Sequence, residues 1–404
     1  MQSGHDPVRI RIVHLSSVHP ADDVRIVWKE CASLAQAGYQ VAFVVPADRS
    51  AHHTGPGQAV SIVTVKRHPS RLGRISLSNA AVLVAGLRLH GHVYHFHDPE
   101  LIPVGLILRL LGKRVIYDAH EDMSQNLSNR RWIPRPLRYP ATLAARGAEW
   151  LAGRLLSAVV AATPVIARRF PDARVTLVQN LARLSEFPLT GHPFETRPFA
   201  AAYVGAVGPS RCAVEMVEAL AKVSGCPDPR LIMAGDMSPL SLADTLAGSA
   251  GWRYVDYRGR QDRAGVRAIL GEARVGLALY YPVKAHIDCE PTKVFEYMAA
   301  GLPVITSDFP HFREIVERTG CGLCVPPCDT SRIASAIEWI FTHPAEAQEM
   351  GRRGREAAER HFSWASEEQR LLRLYQRVTA DLPSNRRGRR PQRQTAGYTN
   401  RRGA

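Results

Sequence analysis

The chain lacks the features that identify several large classes of protein. None of its apolar runs reaches about 18 residues without a charge, so the sequence does not predict a membrane-spanning helix. The cysteines number seven and are scattered, which argues against a disulfide framework. A Walker A loop, a Gly-x-Gly-x-x-Gly fingerprint and an Asp-x-Asp triplet are all missing. Their absence lowers the expectation of ATP hydrolysis, of NAD chemistry and of an Asp-x-Asp metal site.

The N-terminus also lacks the pattern of a secretion signal. MQSGHDPVRIRIVHL has no charged start followed by a long apolar core, so we expect a cytoplasmic protein. Cys321, Cys324 and Cys328 lie close together and leave a metal site open as an alternative. Because no fourth Cys or His with zinc-finger spacing lies nearby, we favour a structural role for these cysteines. We expect neither a metal nor another cofactor.

The charge of the chain is strongly basic. It has 52 Lys and Arg against 37 Asp and Glu, a net charge of +15. Residues 381–404 carry seven Arg and one Asp in a Gly, Pro and Gln-rich segment, which predicts a disordered tail. Between residues 123 and 154, six Arg and one acid alternate with Trp132, Tyr139 and Trp150. Such a region suits an anionic membrane surface, and a solvated basic face is the alternative.

Apolar strand patterns and helical patterns alternate in two series. The first series has strand candidates at residues 10–15, 41–45, 60–65, 93–96, 115–117 and 159–161. Helical patterns at 25–37 and 101–111 lie between them, as a parallel sheet with crossover helices requires. A second series begins at AAYVGAVG and continues through a helix at 214–222 and the strands LIMAG and VGLALYY. With the length of 404 residues, this predicts an α/β protein with two Rossmann-like units.

The segment DCEPTKVFEYMAAGLPVITSD predicts a loop, a short helix and a buried strand. Pro291 opens the helix, since its missing N–H is not needed there, and Gly301 permits a left-handed cap. The free amides at the helix start attract phosphate, and Thr292 and Lys293 lie beside them. Glu296, one turn further on, could reach a ribose hydroxyl. A nucleotide-sugar suits this arrangement better than a free phosphate.

The run PTKVFEYMAAGLPVI resembles the donor-binding signature of glycosyltransferase family 4, the group 1 glycosyltransferases, of the type that builds bacterial polysaccharides. Further segments resemble family motifs in the right order, so the resemblance covers nearly the whole chain: SSVHPADDVRIVWKECASLAQAGYQV, HDPELIPVGLILRLLGKRVIYDAHED, VQN, AGD and HFSW with Tyr375. The resemblance implies the GT-B fold, with two facing Rossmann-like domains. It implies domains at 1–182 and 199–362, a linker at 183–198, and a helix at 363–380 that crosses back onto the N-terminal domain.

The resemblance also implies a donor site in the C-terminal domain. Two acids with seven residues between them contact the donor in this family, and the matching pair is Asp288 for the sugar and Glu296 for the ribose. The first acid is usually Glu, so Asp288 is a departure.

A second departure concerns the cations that hold the diphosphate. Family members usually have Arg directly after the Gly of the first strand, but here Ala206 follows Gly205. A Lys usually comes five residues later, and here that position is Arg211. Arg211 and Lys293 are therefore implied to clamp the diphosphate, although a surface role for Arg211 is an alternative.

Three consecutive residues after the strand VIYDA are the catalytic candidates. The resemblance places His120 near the donor sugar and the departing diphosphate, where a hydrogen bond or positive charge stabilises the transition state. A histidine bonded only to loop backbone is the alternative. Glu121 and Asp122 could orient the imidazole or approach the acceptor hydroxyl.

Loops after two neighbouring strands supply acceptor-side candidates, because ligands bind beyond the carboxyl ends of parallel strands. The loop after the first strand lacks the glycines usual in the family, so side chains or a different loop shape must serve. The candidates are Ser17, His19, Asp23, Arg25 and, after the neighbouring strand, His97. We interpret Asp98, next to His97, as a helix N-cap.

The sequence thus predicts a retaining glycosyltransferase that moves a sugar from a nucleotide-diphosphate-sugar to a saccharide or lipid-linked acceptor. We expect it to build a cell-surface polysaccharide or glycolipid, at the inner face of the plasma membrane through its basic N-terminal domain. Alternatives are a GT-B-fold epimerase or hydrolase and a non-catalytic relative, which the departures at Asp288 and Ala206 keep open. A nucleic-acid-binding protein is a remote alternative, since no recognition motif accompanies the charge.

Overall fold

A computed structural model describes residues 9–47, 52–54, 59–70, 73–120, 134–189 and 193–382 of the chain. Glu121 and Asp122, two of the predicted catalytic residues, lie outside these ranges. So does nearly all of the tail predicted at 381–404.

Two sheets organise the described residues. Their strands are Arg11–Leu15 (β1), Gln40–Ala47 (β2), His52–Thr54 (β3), Val60–Lys66 (β4), Val93–Phe96 (β5), Arg114–Ala119 (β6), Ala158–Ala161 (β7), Val175–Leu177 (β8), Ala200–Val204 (β9), Arg230–Ala234 (β10), Val255–Gly259 (β11), Val275–Ala278 (β12), Val304–Ser307 (β13) and Gly322–Val325 (β14). One sheet has the order β3-β4-β2-β1-β5-β6-β7-β8, and the other has the order β11-β10-β9-β12-β13-β14. β1 pairs in parallel with β2 and β5, and β9 pairs in parallel with β10 and β12, whereas β3 is antiparallel to β4.

Helices connect most of the strands. The α-helices are Ala32–Gln36 (α1), Asn79–Arg88 (α2), Ile102–Leu110 (α3), Arg135–Leu155 (α4), Pro164–Ala167 (α5), Ala213–Leu220 (α6), Leu242–Ala247 (α7), Arg263–Glu272 (α8), Lys284–Ile287 (α9), Thr292–Ala299 (α10), Pro310–Thr319 (α11), Thr330–Thr342 (α12), Pro344–Arg360 (α13) and Trp364–Val378 (α14). π-helical turns precede α1 and α2, at Val24–Cys31 and Arg74–Ser78. Short 3-10 turns lie at Pro99–Leu101, Leu184–Glu186, Phe194–Thr196, Pro209–Arg211 and Trp252–Tyr254.

The chain divides into two compact units. The first comprises the described residues up to Ile116, Leu156–Ala158 and those from Leu372 onward. The second comprises the described parts of Tyr117–Leu155 and Val159–Leu371. The domain boundaries that the resemblance implies, on either side of the linker at 183–198, stay a prediction.

In the second unit, helices cover both faces of the six-stranded sheet. Ala201 and Tyr203 of β9 belong to one buried apolar cluster, whereas Ala200 and Ala202 belong to another. Successive side chains of a strand point to opposite faces, so two separate apolar layers sandwich this sheet. The first layer includes residues of α6 and α12, and the second includes residues of α8 and α10.

The strands of the first unit are buried in the same way. All four residues of β5, Val93–Phe96, are buried, although the second and third are Tyr and His. Strands covered on both faces require such near-continuous burial. The predicted α/β class with two parallel Rossmann-like sheets is confirmed. Among the described residues, no helix combines the length and apolar character that crossing a membrane requires.

Candidate functional site

The helix α10 is bounded much as its sequence predicts. It begins at Thr292, so Pro291 is the residue before the first turn rather than within it. Gly301 follows the last turn with φ +70°, which confirms the predicted left-handed cap. The face of α10 that includes Phe295 and Met298 is buried, which fixes the helix against the sheet. Its amino end therefore has a fixed position at the carboxyl end of the sheet.

Lys293 lies directly over Gly205, the glycine that follows β9. A methyl group on Gly205 would lie 2.7 Å from Cε and 2.9 Å from Nζ of Lys293, and the φ of Gly205 is +130°. The ammonium also lies 5.2 Å from the ring centroid of Tyr203 and 5.4 Å from that of Tyr280. A side chain at position 205 would displace the ammonium, so the glycine is required for this arrangement.

Arg211 brings a second positive charge to the ring of Tyr280. Its Cζ lies 4.6 Å from the ring centroid of Tyr280. Burial, and next the charge of Arg211, lower the pKa of Lys293 to about 8. Two cations held this close attract an anion. The structure thus brings together Arg211, Lys293 and Gly205, three of the residues that were expected to bind the donor.

Glu296 is held by an arginine that the sequence analysis missed. Both terminal nitrogens of Arg263 donate to Oε1 of Glu296 at 3.1 Å, and Nε of Arg263 donates to Oε2 of Glu186 at 2.8 Å. Burial alone would lower the pKa of Arg263, but Glu296 and Glu186 raise it above its ordinary value. The carboxylate of Glu296 is therefore fixed in orientation. No spacing rule connects positions 186, 263 and 296, so the sequence carried no signal for this contact.

A cavity of about 210 Å³ opens at the carboxyl ends of β9 and β10. Gly205, Ala206, Gly235, Arg260 and Gln261 are among its lining residues. It adjoins the Lys293 ammonium through Gly205. This is the edge at which parallel α/β sheets bind their ligands.

Of the other predicted donor residues, Asp288 is exposed and Thr292 is half-buried at the start of α10. Asp288 directly follows α9, and its amide donates to the carbonyl oxygen of Lys284 at 3.1 Å. The more enclosed acid of this segment is Glu290. Its Oε1 accepts a hydrogen bond from Nε2 of Gln179 at 3.0 Å, and its Oε2 lies 3.4 Å from Nε2 of His311. Glu290 lies inside the motif, and it was missed because the family spacing selects Asp288.

His120 lies immediately after β6, as predicted. Its Nδ1 is 3.3 Å from Oδ2 of Asp118, a residue with no exposed surface. Asp118 and His120 are two residues apart, so the alternation of a strand places them on the same face. The spacing of two residues within a strand is a signal that the sequence itself carries for Asp118. It was missed because only the acids after His120 were candidates. Glu121 and Asp122, the other two catalytic candidates, lie outside the described residues.

The loop after β1 is held by side chains instead of glycines. Asp98 Oδ2 accepts hydrogen bonds from Ser16 Oγ at 2.7 Å and from the amide of Ser17 at 2.6 Å. His19 lies between two carboxylates, with Nε2 3.4 Å from Asp98 Oδ1 and Nδ1 3.0 Å from Asp23 Oδ2. Asp98 occupies the N-cap position of the 3-10 turn Pro99–Leu101 in extended backbone, as predicted, but its side chain makes no capping bond to that described turn. Asp23 is the residue that caps, accepting from the amide of the third residue of the π-helical turn Val24–Cys31.

Arg25 and His97 face the interior of the first unit. Arg25 Nε lies 3.2 Å from Oε1 of the fully buried Glu30, and His97 Nε2 lies 2.8 Å from Nδ1 of His14. Donor atoms of His14, Glu30, His95 and His97 all lie within 4.8 Å of one another, a set that could hold a metal ion. The expectation of a protein without metal stays a prediction.

Part of the chain resembles known proteins in sequence. Residues 190–357 match the family described as glycosyl transferases group 1. The glycogen synthase of Mycobacterium tuberculosis is 23% identical over 222 residues, which cover 54% of this chain and 51% of that protein. The chain therefore spans about half the length of that curated relative.

Solved structures resemble nearly the whole fold. Sucrose-phosphate synthase from Thermosynechococcus elongatus superposes with a TM-score of 0.71 at 18% identity, over 92% of this chain and 100% of that chain. HepE from Anabaena, solved in complex with UDP and glucose, superposes with a TM-score of 0.68 at 13% identity, over 91% and 100% of the two chains.

The fold therefore defines a protein of the GT-B class, as predicted. Residues 190–357 resemble the group 1 glycosyltransferases, so the predicted resemblance to that family is confirmed.

Proposed function

We propose that this protein is a retaining glycosyltransferase that moves a sugar from a nucleotide-diphosphate-sugar to a saccharide or lipid-linked acceptor. The observation that carries the proposal is the pair of cations, Lys293 and Arg211, on the ring of Tyr280 beside Gly205. A diphosphate supplies the negative charge that this pair lacks. The glycine lets phosphate oxygens approach the end of β9 closely.

The surrounding residues suit the other parts of such a donor. The cavity at the ends of β9 and β10 adjoins the cation pair and has room for part of the nucleotide. Glu296, oriented by Arg263, would accept hydrogen bonds from the ribose hydroxyls. Thr292 would face the diphosphate and Asp288 the sugar. The likeness to HepE, whose structure contains UDP and glucose, supports this assignment.

The reaction breaks the bond between the sugar C1 and the diphosphate and forms a bond from C1 to an acceptor oxygen on the same face. The leaving diphosphate gains negative charge, which Lys293 and Arg211 stabilise in place. We propose that their charge makes a bound metal unnecessary. His120, oriented by Asp118, would stabilise the reacting centre, and the proton of the acceptor hydroxyl would leave with the diphosphate oxygen.

We further propose that the acceptor belongs to the synthesis of a bacterial cell-surface polysaccharide or glycolipid. Its assembly would take place in the cytoplasm at the inner face of the plasma membrane. The motifs of the polysaccharide-biosynthesis type and the basic helix α4 support this location.

The first test is thermal stability with UDP, GDP, ADP and their common sugars. A ligand that binds only the folded protein should stabilise it by about 2.7 kcal/mol at 100 times its dissociation constant. We expect one base to give this shift in the wild type and Lys293→Gln to abolish it. The matched control is Lys222→Gln, an exposed lysine on the same unit, which should respond like the wild type.

Product analysis with the stabilising donor completes the test. Transfer to an added acceptor from a cell-envelope extract, with the anomeric configuration kept, would support the proposal. Free sugar or an isomerised donor without any acceptor would indicate the epimerase or hydrolase alternative. If no nucleotide shifts the stability, the donor site is not functional and the proposal is wrong.

A further inference from the structure

The helix α4, Arg135–Leu155, buries only a narrow face. Ala145, Glu149 and Ala152 are buried at intervals of four and three residues, which is the spacing of a single helical stripe. Gly153 packs beside Phe170, where a methyl group on it would come within 2.9 Å of the ring. Most of the remaining residues of this 21-residue helix are exposed.

The open face is unusually apolar for a surface that meets only water. Tyr139 is 79% exposed, Leu143 59% and Trp150 55%. These three residues follow one another at helical intervals of four and seven, so they line one side of the helix. Leu137, Leu151 and Leu155 add exposed apolar surface along the same helix. Contiguous exposed apolar surface marks a site of interaction.

The same face carries positive charge. Arg135, Arg146 and Arg154 are exposed on α4, and Glu149 is the single acid in the sequence of this helix. Glu149 is buried and forms an ion pair with Arg169, so it does not offset the charge of the open face. Arg154 stacks on the exposed Trp150, with Cζ 3.9 Å from the ring centroid.

We propose that the open face of α4 docks on a bilayer that contains anionic phospholipids. An interfacial helix needs an apolar side to enter the headgroup boundary and basic side chains to meet the lipid phosphates. Trp and Tyr suit that boundary because their rings are apolar and their N–H and O–H groups are polar. Charge alone would suit nucleic acid equally, but the exposed leucines have no role there.

The inference rests on the proposed function only for the acceptor. A lipid-linked acceptor would be held at the surface on which α4 lies, so docking would raise the local concentration of the enzyme there. The helix itself can be tested without any sugar donor. Failure of docking and failure of sugar transfer are therefore distinguishable.

The test is co-sedimentation of the full chain with two kinds of vesicle, one of phosphatidylcholine alone and one of phosphatidylcholine with phosphatidylglycerol. We expect binding to the anionic vesicles and little to the neutral ones. Each arginine near such a surface contributes about fivefold to the partition coefficient. Arg135→Gln with Arg146→Gln should therefore weaken binding about 30-fold.

A second variant separates apolar insertion from charge attraction. Tyr139→Ser with Trp150→Ser should weaken binding also in 0.5 M salt, where charge attraction is screened over roughly 4 to 5 Å. The matched control is Arg352→Gln with Arg353→Gln on α13, whose exposed arginines pair with Glu349. This control should bind vesicles as the wild type does.

Three results would overturn the proposal. One is equal binding to both kinds of vesicle or to neither. Another is vesicle binding that the α4 substitutions do not weaken, which would assign vesicle binding to the basic residues 383–404 or to another part of the chain. The third is an equal loss of duplex DNA binding in the arginine variant with no effect of the Tyr139 and Trp150 changes. Nucleotide-dependent stabilisation should be the same in all variants, which shows that they fold.

Discussion

Lys293 carries its charge at a cost in the empty protein. Its pKa of about 8 lies below the ordinary 10.5, first because of burial and then because of Arg211. In the unfolded chain the pKa returns to its ordinary value, so the unfolded state binds the proton more tightly. The stability of the empty protein should therefore rise between about pH 8 and about pH 10 as this penalty disappears.

The same titration predicts how pH changes nucleotide binding. In the proposed function, the diphosphate binds the charged form of Lys293. At pH 9 only about a tenth of the side chains are charged when the pKa is near 8. We expect the dissociation constant of the nucleoside diphosphate to rise up to about tenfold between pH 7 and pH 9. Isothermal titration calorimetry over this range measures it.

Lys293→Arg is the control, because guanidinium stays charged throughout this range. Its nucleotide affinity should stay nearly constant from pH 7 to pH 9, whatever its absolute value. A parallel decline in both proteins would mean that another group titrates and that the ammonium is not the one that meets the phosphate.

Some residues of the site could be predicted from sequence and others could not. Lys293, Gly205 and Arg211 were found because each has a fixed position within a local motif. Arg263 and Asp98 act on partners more than thirty residues away, and no local pattern reports such a partner. Only the folded chain brings these pairs together.

At the scale of the elements, the ends of β9 and β10 come unusually close. Gly235 follows β10 with φ +144°, and a methyl group on it would lie 1.9 Å from the carbonyl oxygen of Gly205. The two strand ends can approach this closely because Gly235 has no side chain. Both glycines line the cavity at these strand ends.

Gly235→Ala should therefore destabilise the protein by about 3 kcal/mol or more, because the backbone conformation is one that only glycine adopts readily and the methyl group overlaps backbone. Gly259→Ala is the matched control. Gly259 has φ +60°, and no described atom lies within 4 Å of the added methyl group. It should lose only about 1 to 2 kcal/mol. Urea unfolding measures both, and equal losses would refute the role of the close approach.

The elements themselves were predictable where the apolar pattern is strong. β5 has the predicted bounds, and β2 extends the predicted 41–45 by one residue before it and two after it. β11 was missed because VDYRG is half-buried with polar alternation and no apolar run. The helix predicted at 25–37 was found as a π-helical turn followed by α1. Apolar spacing reports which face is buried, and it does not report which carbonyl each amide reaches.

At the scale of the whole molecule, the path of α14 is the notable feature. The helix starts in the second unit and its residues from Leu372 onward belong to the first. Within the first unit, the hydroxyl of Tyr375 lies 2.8 Å from Nδ1 of His95, and both side chains are fully buried. A helix at 363–380 was predicted from the family motif, and its observed bounds are Trp364–Val378.

Tyr375→Phe removes this buried hydrogen bond and leaves the ring in place. We expect a loss of about 1 to 2 kcal/mol in the free energy of unfolding. Tyr139→Phe, at a side chain that is 79% exposed, is the control and should change the stability by less than about 0.5 kcal/mol. Losses of the same size would mean that the Tyr375 hydroxyl contributes nothing particular to the fold.

The two-fold recurrence of strand and helix was readable from the sequence because it repeats along the chain. The membership of residues 117–155 in the second unit was not, since it depends on contacts between segments far apart in sequence. The net charge of +15 likewise predicted a basic surface without locating it. The positive charge of the open face of α4 depends on the burial of Glu149, which the sequence does not report.

The two cations at the end of β9 make the stability of the protein depend on the concentration of its ligand. Mutual repulsion between Lys293 and Arg211 weakens the empty fold, and a bound anion removes that repulsion. Cellular proteases act on the unfolded fraction, which falls about tenfold for each 1.4 kcal/mol of added stability. If the proposed donor is the ligand, a cell short of nucleotide-sugar would degrade this protein faster, and the abundance of the protein would follow the concentration of the donor.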